Sequence, residues 1–251
     1  MSNNRTLDAG TRHPLLSFLS RSWHRLDAWF PHQYCLLCRA ASGTALVCAD
    51  CAAEMPPAAA EACPVCALPT PNQQLCGQCL SHPPHFDRTY SLWTYGFPLD
   101  TLIQSLKYGH QLAAARWLGE ALAAKAPAVF ANDLPDLLLP IPLSSGHLQE
   151  RGFNQAVEIA RPLARCLGLP LALDVCERVR ETQAQTSLPW KLRQKNVRGA
   201  FECCQPLDGK HILVLDDVMT TGATLNELAR TLKKHGARRV SNLVCARALK
   251  H

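Results

Sequence analysis

From Pro14 the apolar residues Leu15, Leu19, Trp23, Leu26 and Phe30 recur every three or four positions with arginines between them. That spacing predicts an amphipathic helix ending near Pro31. Its apolar face packs on the protein's own body, or rests on a membrane surface or a partner. Beyond residue 84 strands and helices alternate. Residues 90–95 read as a strand, and Leu99, Leu102, Ile103 and Leu106 read as a helix that stops at Lys107-Tyr108-Gly109. A second helix covers residues 111–126, and a buried strand over 137–142 leaves the sheet at its prolines. Arg151-Gly152-Phe153-Asn154-Gln155 opens a helix that runs to Gly168, with Pro162 placed to kink it. Ile212, Leu213, Val214 and Leu215 form a strand apolar on both faces, and Leu225, Leu228, Ala229 and Leu232 mark the helix after it. Gly236 stops that helix, and residues 240–246 give a last strand. Alternation of this kind predicts an α/β domain with a parallel, doubly wound sheet whose ligands sit at the carboxyl ends of the strands.

Residues 32–84 have no such periodicity. Their order lies in cysteines: Cys35-x2-Cys38-x9-Cys48-x2-Cys51 is followed by Cys63-x2-Cys66-x9-Cys76-x2-Cys79, the same spacing repeated after 28 residues. Each CxxC makes a tight knuckle presenting two thiolates to a tetrahedral Zn²⁺, and two knuckles close the coordination sphere. With so little apolar sequence in between, metal ligation is the main folding energy, roughly 10–16 kcal/mol per structural zinc. Sequential pairing places one zinc in each repeat; interleaved pairing of alternate knuckles, and loss of one of the two metals, are the alternatives. Closed four-cysteine sites are structural, so no catalysis is assigned to them. His82 and His85 lie nearby but are not needed as ligands, and Cys166, Cys176, Cys203, Cys204 and Cys245 lack ligand spacing and read as core or surface thiols.

The expected boundaries are therefore a tail and helix over 1–31, a double zinc ribbon over 32–84 and the α/β domain over 85–251. A chain of 251 residues that is 47% hydrophobic is long enough for one full core plus a small module. No apolar run reaches membrane-spanning length, and Arg21, His24 and Arg25 interrupt the first apolar stretch before it resembles a signal peptide. Thirteen cysteines, eight of them in CxxC pairs, fit metal binding in a reducing compartment, and the expected location is cytoplasmic. Residues 1–90 hold six basic and six acidic side chains and residues 91–251 hold twenty and fourteen, so the excess of +6 belongs to the second part. That part is the one expected to face a polyanion.

The chemistry concentrates in residues 212–224, ILVLDDVMTTGAT. Asp216 and Asp217 stand where the strand is expected to end, and Thr220, Thr221, Gly222, Ala223 and Thr224 lead into the helix. A strand end, a small-residue turn and a helix N-terminus form an anion site, because main-chain N–H groups and the helix dipole point outward there. Neither GxxxxGK[ST] nor GxGxxG is present, which excludes the usual nucleotide loops. Paired carboxylates before the cradle suit vicinal sugar hydroxyls. Residues 177–198 carry six basic side chains against two Glu, and this polar stretch reads as a lid or as a solvated basic loop.

The strand, Asp-Asp and TTGAT in that order resemble the ribose-5-phosphate motif of type I phosphoribosyltransferases, whose donor is phosphoribosyl pyrophosphate (PRPP). Three further stretches, TYGFPLDTLIQSLKYG, IPLSSGHLQERGFNQA and RVRETQAQTSLPWKLRQKNVRGAF, together with the cysteine repeats, resemble the ComF/GntX competence family over nearly the whole chain from Cys35. Arg178, Arg180, Thr182, Gln185, Leu188, Arg193 and Asn196 match one of its spaced elements. The loop Ser144-Ser145-Gly146-His147 departs from the pattern in having no Arg or Lys.

The resemblance implies a double zinc ribbon joined to a phosphoribosyltransferase-type domain and a role in DNA uptake or the use of extracellular DNA. It implies PRPP and Mg²⁺ as ligands, with the 5-phosphate on Thr220, Thr221, Gly222, Ala223 and Thr224 and the ribose hydroxyls on Asp216 and Asp217. Arg151, Arg178, Arg180, Gln185 and Arg193 are the candidates for the pyrophosphate side and the lid. Single-stranded DNA, with Trp190 available for stacking and Arg178, Arg193 and Lys195 for backbone contacts, and proteins of a DNA-uptake machinery are the expected partners. The alternative is an active transferase in nucleotide salvage, on an acceptor that no motif identifies, with no direct part in handling DNA.

Overall fold

The structure, a computed structural model, describes residues 33–180 and 197–249. The helix expected over 14–31 and the lid positions Thr182, Gln185, Leu188, Trp190, Arg193, Lys195 and Asn196 lie outside the described residues.

The 28-residue repeat is a repeat of backbone conformation. β1 (Gln33–Tyr34) pairs antiparallel with β2 (Ala41–Gly43), and α1 (Ala49–Ala53) and α2 (Gly77–Ser81) are single helical turns. Cys48 is the N-cap of α1, and Cys76, in the equivalent position, is the N-cap of α2. In the first knuckle of each repeat Arg39 and Ala67 take φ of 63° and 57°, and each donates its N–H to the carbonyl of the leading cysteine, Cys35 or Cys63. A non-glycine residue in the left-handed region costs energy unless its surroundings hold it there. Its recurrence at the same place in both units fits a turn imposed by the thiolate cluster.

The larger sheet has the order β3-β8-β7-β4, all parallel, from β3 (Arg88–Thr94), β4 (Leu137–Pro140), β7 (His211–Met219) and β8 (Arg239–Arg247). α3 (Leu99–Gly109) and α4 (Leu112–Phe130) connect β3 to β4; α5 (Ser145–Arg151) and α6 (Gln155–Leu167) follow β4. β5 (Cys176–Arg178) and β6 (Phe201–Cys203) form a separate antiparallel ribbon, and α7 (Ala223–Lys234) connects β7 to β8. A parallel bridge from Leu138 to Leu171 puts the chain after α6 on the outer side of β4. The crossover through α6 thus runs outward and that through α7 inward, and right-handed connections then place the two helices on opposite faces. The sheet is doubly wound.

Burial follows this arrangement. Leu138, Leu163, Leu118 and the run Ile212 to Leu215 are 0% exposed. α4 packs on α6 at Gly119, where an added Cβ would lie 2.9 Å from Pro162 Cγ and against the Ile159 carbonyl.

Several elements differ from the pattern-based reading. β7 extends through Asp216 and Asp217 to Met219 because β8 pairs with it as far as Arg247. α6 starts at Gln155, not Arg151: Asn154 caps it, accepting from the Ala156 N–H at 2.9 Å and donating to the Ile141 carbonyl at 2.9 Å. The residues before it form the short helix α5, and the β5–β6 ribbon carries Arg178, which the sequence places in a loop.

Candidate functional site

The carboxyl ends of β4 and β7, the end of α3 and the start of α7 enclose a cleft of about 540 Å³, within the range of small-molecule sites. Its walls include Asp216, Asp217, Thr220 and Thr224 from the β7–α7 segment, Lys107 and Tyr108 from α3, and His147, Glu150 and Arg151 from α5; Arg178 reaches it from β5.

Lys107 is the residue that periodicity did not single out. Leu99, Leu102, Ile103 and Leu106 are the buried stripe of α3, which puts Gln104, Lys107 and Tyr108 on the neighbouring face, toward the cleft. Lys107 Nζ lies 2.7 Å from Asp217 Oδ2. Burial would lower the pKa of this ammonium, but the carboxylates of Asp217 and Asp216 prevail and hold it above the ordinary lysine range. Asp217 Oδ1 accepts the Val218 N–H at 2.7 Å, so both of its oxygens are engaged. Asp216 accepts the Asp217 N–H at 2.8 Å. Its carboxyl is pushed up to about 8 by desolvation and by Asp217 beside it, with Lys107 pulling the other way. Two carboxylates this close need a cation or a proton.

The guanidinium of Arg151 lies 5.6 Å from the centre of the Tyr108 ring and donates to Gln155 Oε1 at 3.1 Å, which fixes it at the cleft wall. Arg178 lies over Phe201 at 5.7 Å, and burial lowers its pKa while Asp216 raises it. Arg180 instead donates to the Arg198 carbonyl at 2.8 Å and is not part of the wall. His147 Nδ1 sits 2.9 Å from the buried Ser144 hydroxyl.

The cradle has two sides. Thr220 and Thr224 face the cleft, whereas Thr221, Gly222 and Ala223 line a second, smaller cavity of about 100 Å³ on the zinc-ribbon side. Gly222, the N-cap of α7, has φ 77°, and an added Cβ would meet Met219. Only glycine takes that turn at no steric cost. Thr221 Oγ1 accepts the Ala223 N–H at 3.3 Å.

The cysteines separate into Cys35, Cys38, Cys48 and Cys51 in one cluster and Cys63, Cys66, Cys76 and Cys79 in the other, all sulfurs of a cluster lying within 4.8 Å of one another. This is the sequential pairing. Cys38 Sγ is 3.7 Å from Cys48 Sγ, and Cys66 Sγ is 3.5 Å from Cys76 Sγ. A disulfide would be about 2.05 Å. A tetrahedron with Zn–S of about 2.3 Å has edges of about 3.8 Å, so the clusters fit zinc. Main-chain N–H groups of Leu37 and Cys48 donate to Cys35 Sγ at 3.4 Å. Although burial opposes it, these N–H groups and that of Cys38 hold the Cys35 thiol down to about 6. Cys51, keeping its proton to donate to Cys38 and Cys48, is pushed up to about 12, an imbalance that a shared divalent cation removes.

Comparison with known proteins agrees with this anatomy. A double zinc ribbon domain model matches residues 25–80, and a phosphoribosyl transferase domain model matches residues 154–249. DNA utilization protein YhgH of Salmonella typhimurium is 37% identical over 193 residues, spanning 74% of this chain and 84% of that protein. Competence protein F of Haemophilus influenzae is 33% identical over 181 residues, spanning 70% and 79%. Competence protein ComFC of Bacillus subtilis is 27% identical over 204 residues, spanning 76% and 79%. Among solved structures, a purine phosphoribosyltransferase from Pyrococcus horikoshii covers 51% of this chain and 71% of its own at 19% identity and a TM-score of 0.33, too low to add to the argument. With its two four-cysteine clusters, its parallel sheet and these relatives, the chain belongs to the ComF/GntX competence family, a double zinc ribbon joined to a phosphoribosyltransferase domain.

Proposed function

We propose that the cleft binds PRPP together with Mg²⁺, and that the protein works in the cytoplasm on the uptake or use of DNA. One observation carries the ligand: Lys107, Arg151 and Arg178 surround the adjacent Asp216 and Asp217 in a single cleft that opens onto the N-terminus of α7. Cations, paired acids and a helix N-terminus are the three recognition elements that a phosphorylated, hydroxylated, pyrophosphate-bearing sugar requires. Thr220 and Thr224 take the 5-phosphate side and Asp216 the ribose hydroxyls, while Lys107 and Arg151 supply the positive charge that the loop Ser144–His147 lacks. Asp216 also fits the cation, because its carboxyl titrates at about 8 beside Asp217 and gains from any added positive charge. When bound, Mg²⁺ offsets the charge of the pyrophosphate.

A transfer step would break the bond from the anomeric carbon to pyrophosphate and form one to an acceptor. The positive character left on that carbon would be stabilised by the carboxylates at the cleft floor. No motif in the sequence identifies an acceptor, and the binding role is the function proposed, with turnover in nucleotide salvage as the second reading. For DNA, the basic excess of residues 91–251 and the names of the relatives, DNA utilization protein and competence protein, support contact with single strands. Fluorescence anisotropy of a labelled single-stranded oligonucleotide tests it. Binding is expected to weaken steeply with salt, at a slope near −0.7 per phosphate contact, and salt-independent or absent binding would exclude the DNA contact.

A further inference from the structure

Arg247, the last residue of β8, is 4% exposed although it carries a guanidinium. Main-chain carbonyls from separate parts of the fold hold it. Its Nε donates to the Cys66 carbonyl at 2.7 Å, inside the second cysteine cluster. Its Nη1 donates to the carbonyls of Met219, at 2.8 Å, and Thr220, where β7 becomes the cradle, and to that of Ala248 at 2.8 Å. One rigid fork thus joins a zinc knuckle to the phosphate loop.

The direction of those bonds matters. A trans peptide holds its carbonyl and N–H on opposite sides, so fixing the Thr220 carbonyl on Arg247, and that of Met219 jointly on Arg247 and the Ala248 N–H at 3.0 Å, sets the direction of the Thr220 and Thr221 N–H groups. Thr220 lines the cleft, so the backbone set in this way borders the ligand. Charge favours the same arrangement, because Zn²⁺ with four thiolates is a −2 centre and a buried guanidinium beside it is compensated. Two further contacts tie the ribbon's exit to the cradle. The His85 N–H donates to Asn226 Oδ1 at 2.6 Å in the first turn of α7, and the buried Phe86 lines the cavity behind Gly222. Cys66 and Cys79 line that cavity as well, and no cysteine of the first cluster does.

We infer that the second zinc is a positioning element of the ligand site and that Arg247 is the positioning residue that transmits its presence. The first zinc has no such part. This rests on the reading of the cleft as a PRPP site. By linkage, a metal that orders the cradle must itself be held more tightly when the cradle is filled, by the same factor.

The test is an equilibrium competition for zinc between the full-length, zinc-loaded protein and a chromogenic chelator, with Mg²⁺ alone or with PRPP and Mg²⁺. PRPP is expected to raise the affinity for one of the two zinc ions at least fivefold and to leave the other unchanged. Arg247→Gln is expected to retain two zinc ions, to bind PRPP at least fivefold more weakly and to lose the protection of zinc. Cys48→Ser/Cys51→Ser, which discards the first zinc, is expected to bind PRPP within twofold of wild type. The wild-type competition decides the matter even where Arg247→Gln fails to fold. PRPP that binds without altering either zinc affinity overturns this inference alone, whereas wild-type protein that binds no PRPP overturns the cleft assignment and this inference with it.

Discussion

Lys107 Nζ and Asp217 Oδ2 meet at 2.7 Å, joining the end of α3 to the signature strand β7 beneath the cleft. The Asp217 side chain is 4% exposed and that of Lys107 21%, so the acid is buried and the ammonium reaches the cleft. A carboxylate placed in this way depends on its partner.

Lys107→Met should therefore destabilise the protein by about 3 kcal/mol, the usual loss when one partner of a buried pair is removed. Adding Asp217→Asn should recover most of it, since an amide leaves no charge without a partner. Urea denaturation of the two single variants and the double variant measures the coupling, and additive losses would show that the pair is not energetically joined.

Asp216 gives a pH dependence of definite sign. Burial and the neighbouring Asp217 push its carboxyl up to about 8, far above the ordinary aspartate range, so the folded form holds its proton more tightly than the unfolded one. Stability is then fully present below pH 4 and falls as pH rises toward 8. Asp216→Asn, which mimics the protonated form, should melt above wild type at pH 8, with a gap that narrows steadily toward pH 4. Melting curves across that range check it, and a gap independent of pH would contradict the assignment.

Zinc content tests the pairing of the cysteines. Elemental analysis should find two zinc ions per chain, and a variant with Cys35, Cys38, Cys48 and Cys51 all changed to Ser should hold one, since each cluster uses only its own repeat. An interleaved arrangement would lose both.

Gly119→Ala should destabilise despite the gain in helix propensity of about 1 kcal/mol. The added methyl meets the Ile159 carbonyl and Pro162, and overpacking against backbone costs about 3 kcal/mol at the upper end of its range. A net loss of about 2 kcal/mol by denaturant titration is the expected outcome, and a stabilised variant would mean that α4 and α6 separate easily.

How much of this was legible in the sequence depends on the range of the interactions involved. Ile212 to Leu215 announced a strand because burial on both faces leaves no polar position, and the cysteine spacing announced two metal clusters because ligation is local. The end of β7 was not legible: Asp216 to Met219 are polar or mixed, and pairing with β8 about 28 residues later carries the strand on. The β5–β6 ribbon has three residues on each side, too few for alternation to register. Lys107 was read as part of a helix stop, because what gives it meaning is Asp217, 110 residues away. A lysine following the last leucine of an apolar stripe was the available signal. Arg247 offered less, since its partners are carbonyls, which every residue has.

The central claim is that the cleft holds PRPP, and isothermal titration calorimetry tests it most directly. Zinc-loaded wild-type protein should bind one PRPP per chain in the presence of Mg²⁺, and Asp216→Asn/Asp217→Asn should bind at least tenfold more weakly, the loss of about 1.4 kcal/mol or more expected when charge-assisted hydrogen bonds disappear. Wild-type protein that gives no saturable heat with PRPP and Mg²⁺, or a double variant that binds as wild type does, would contradict it.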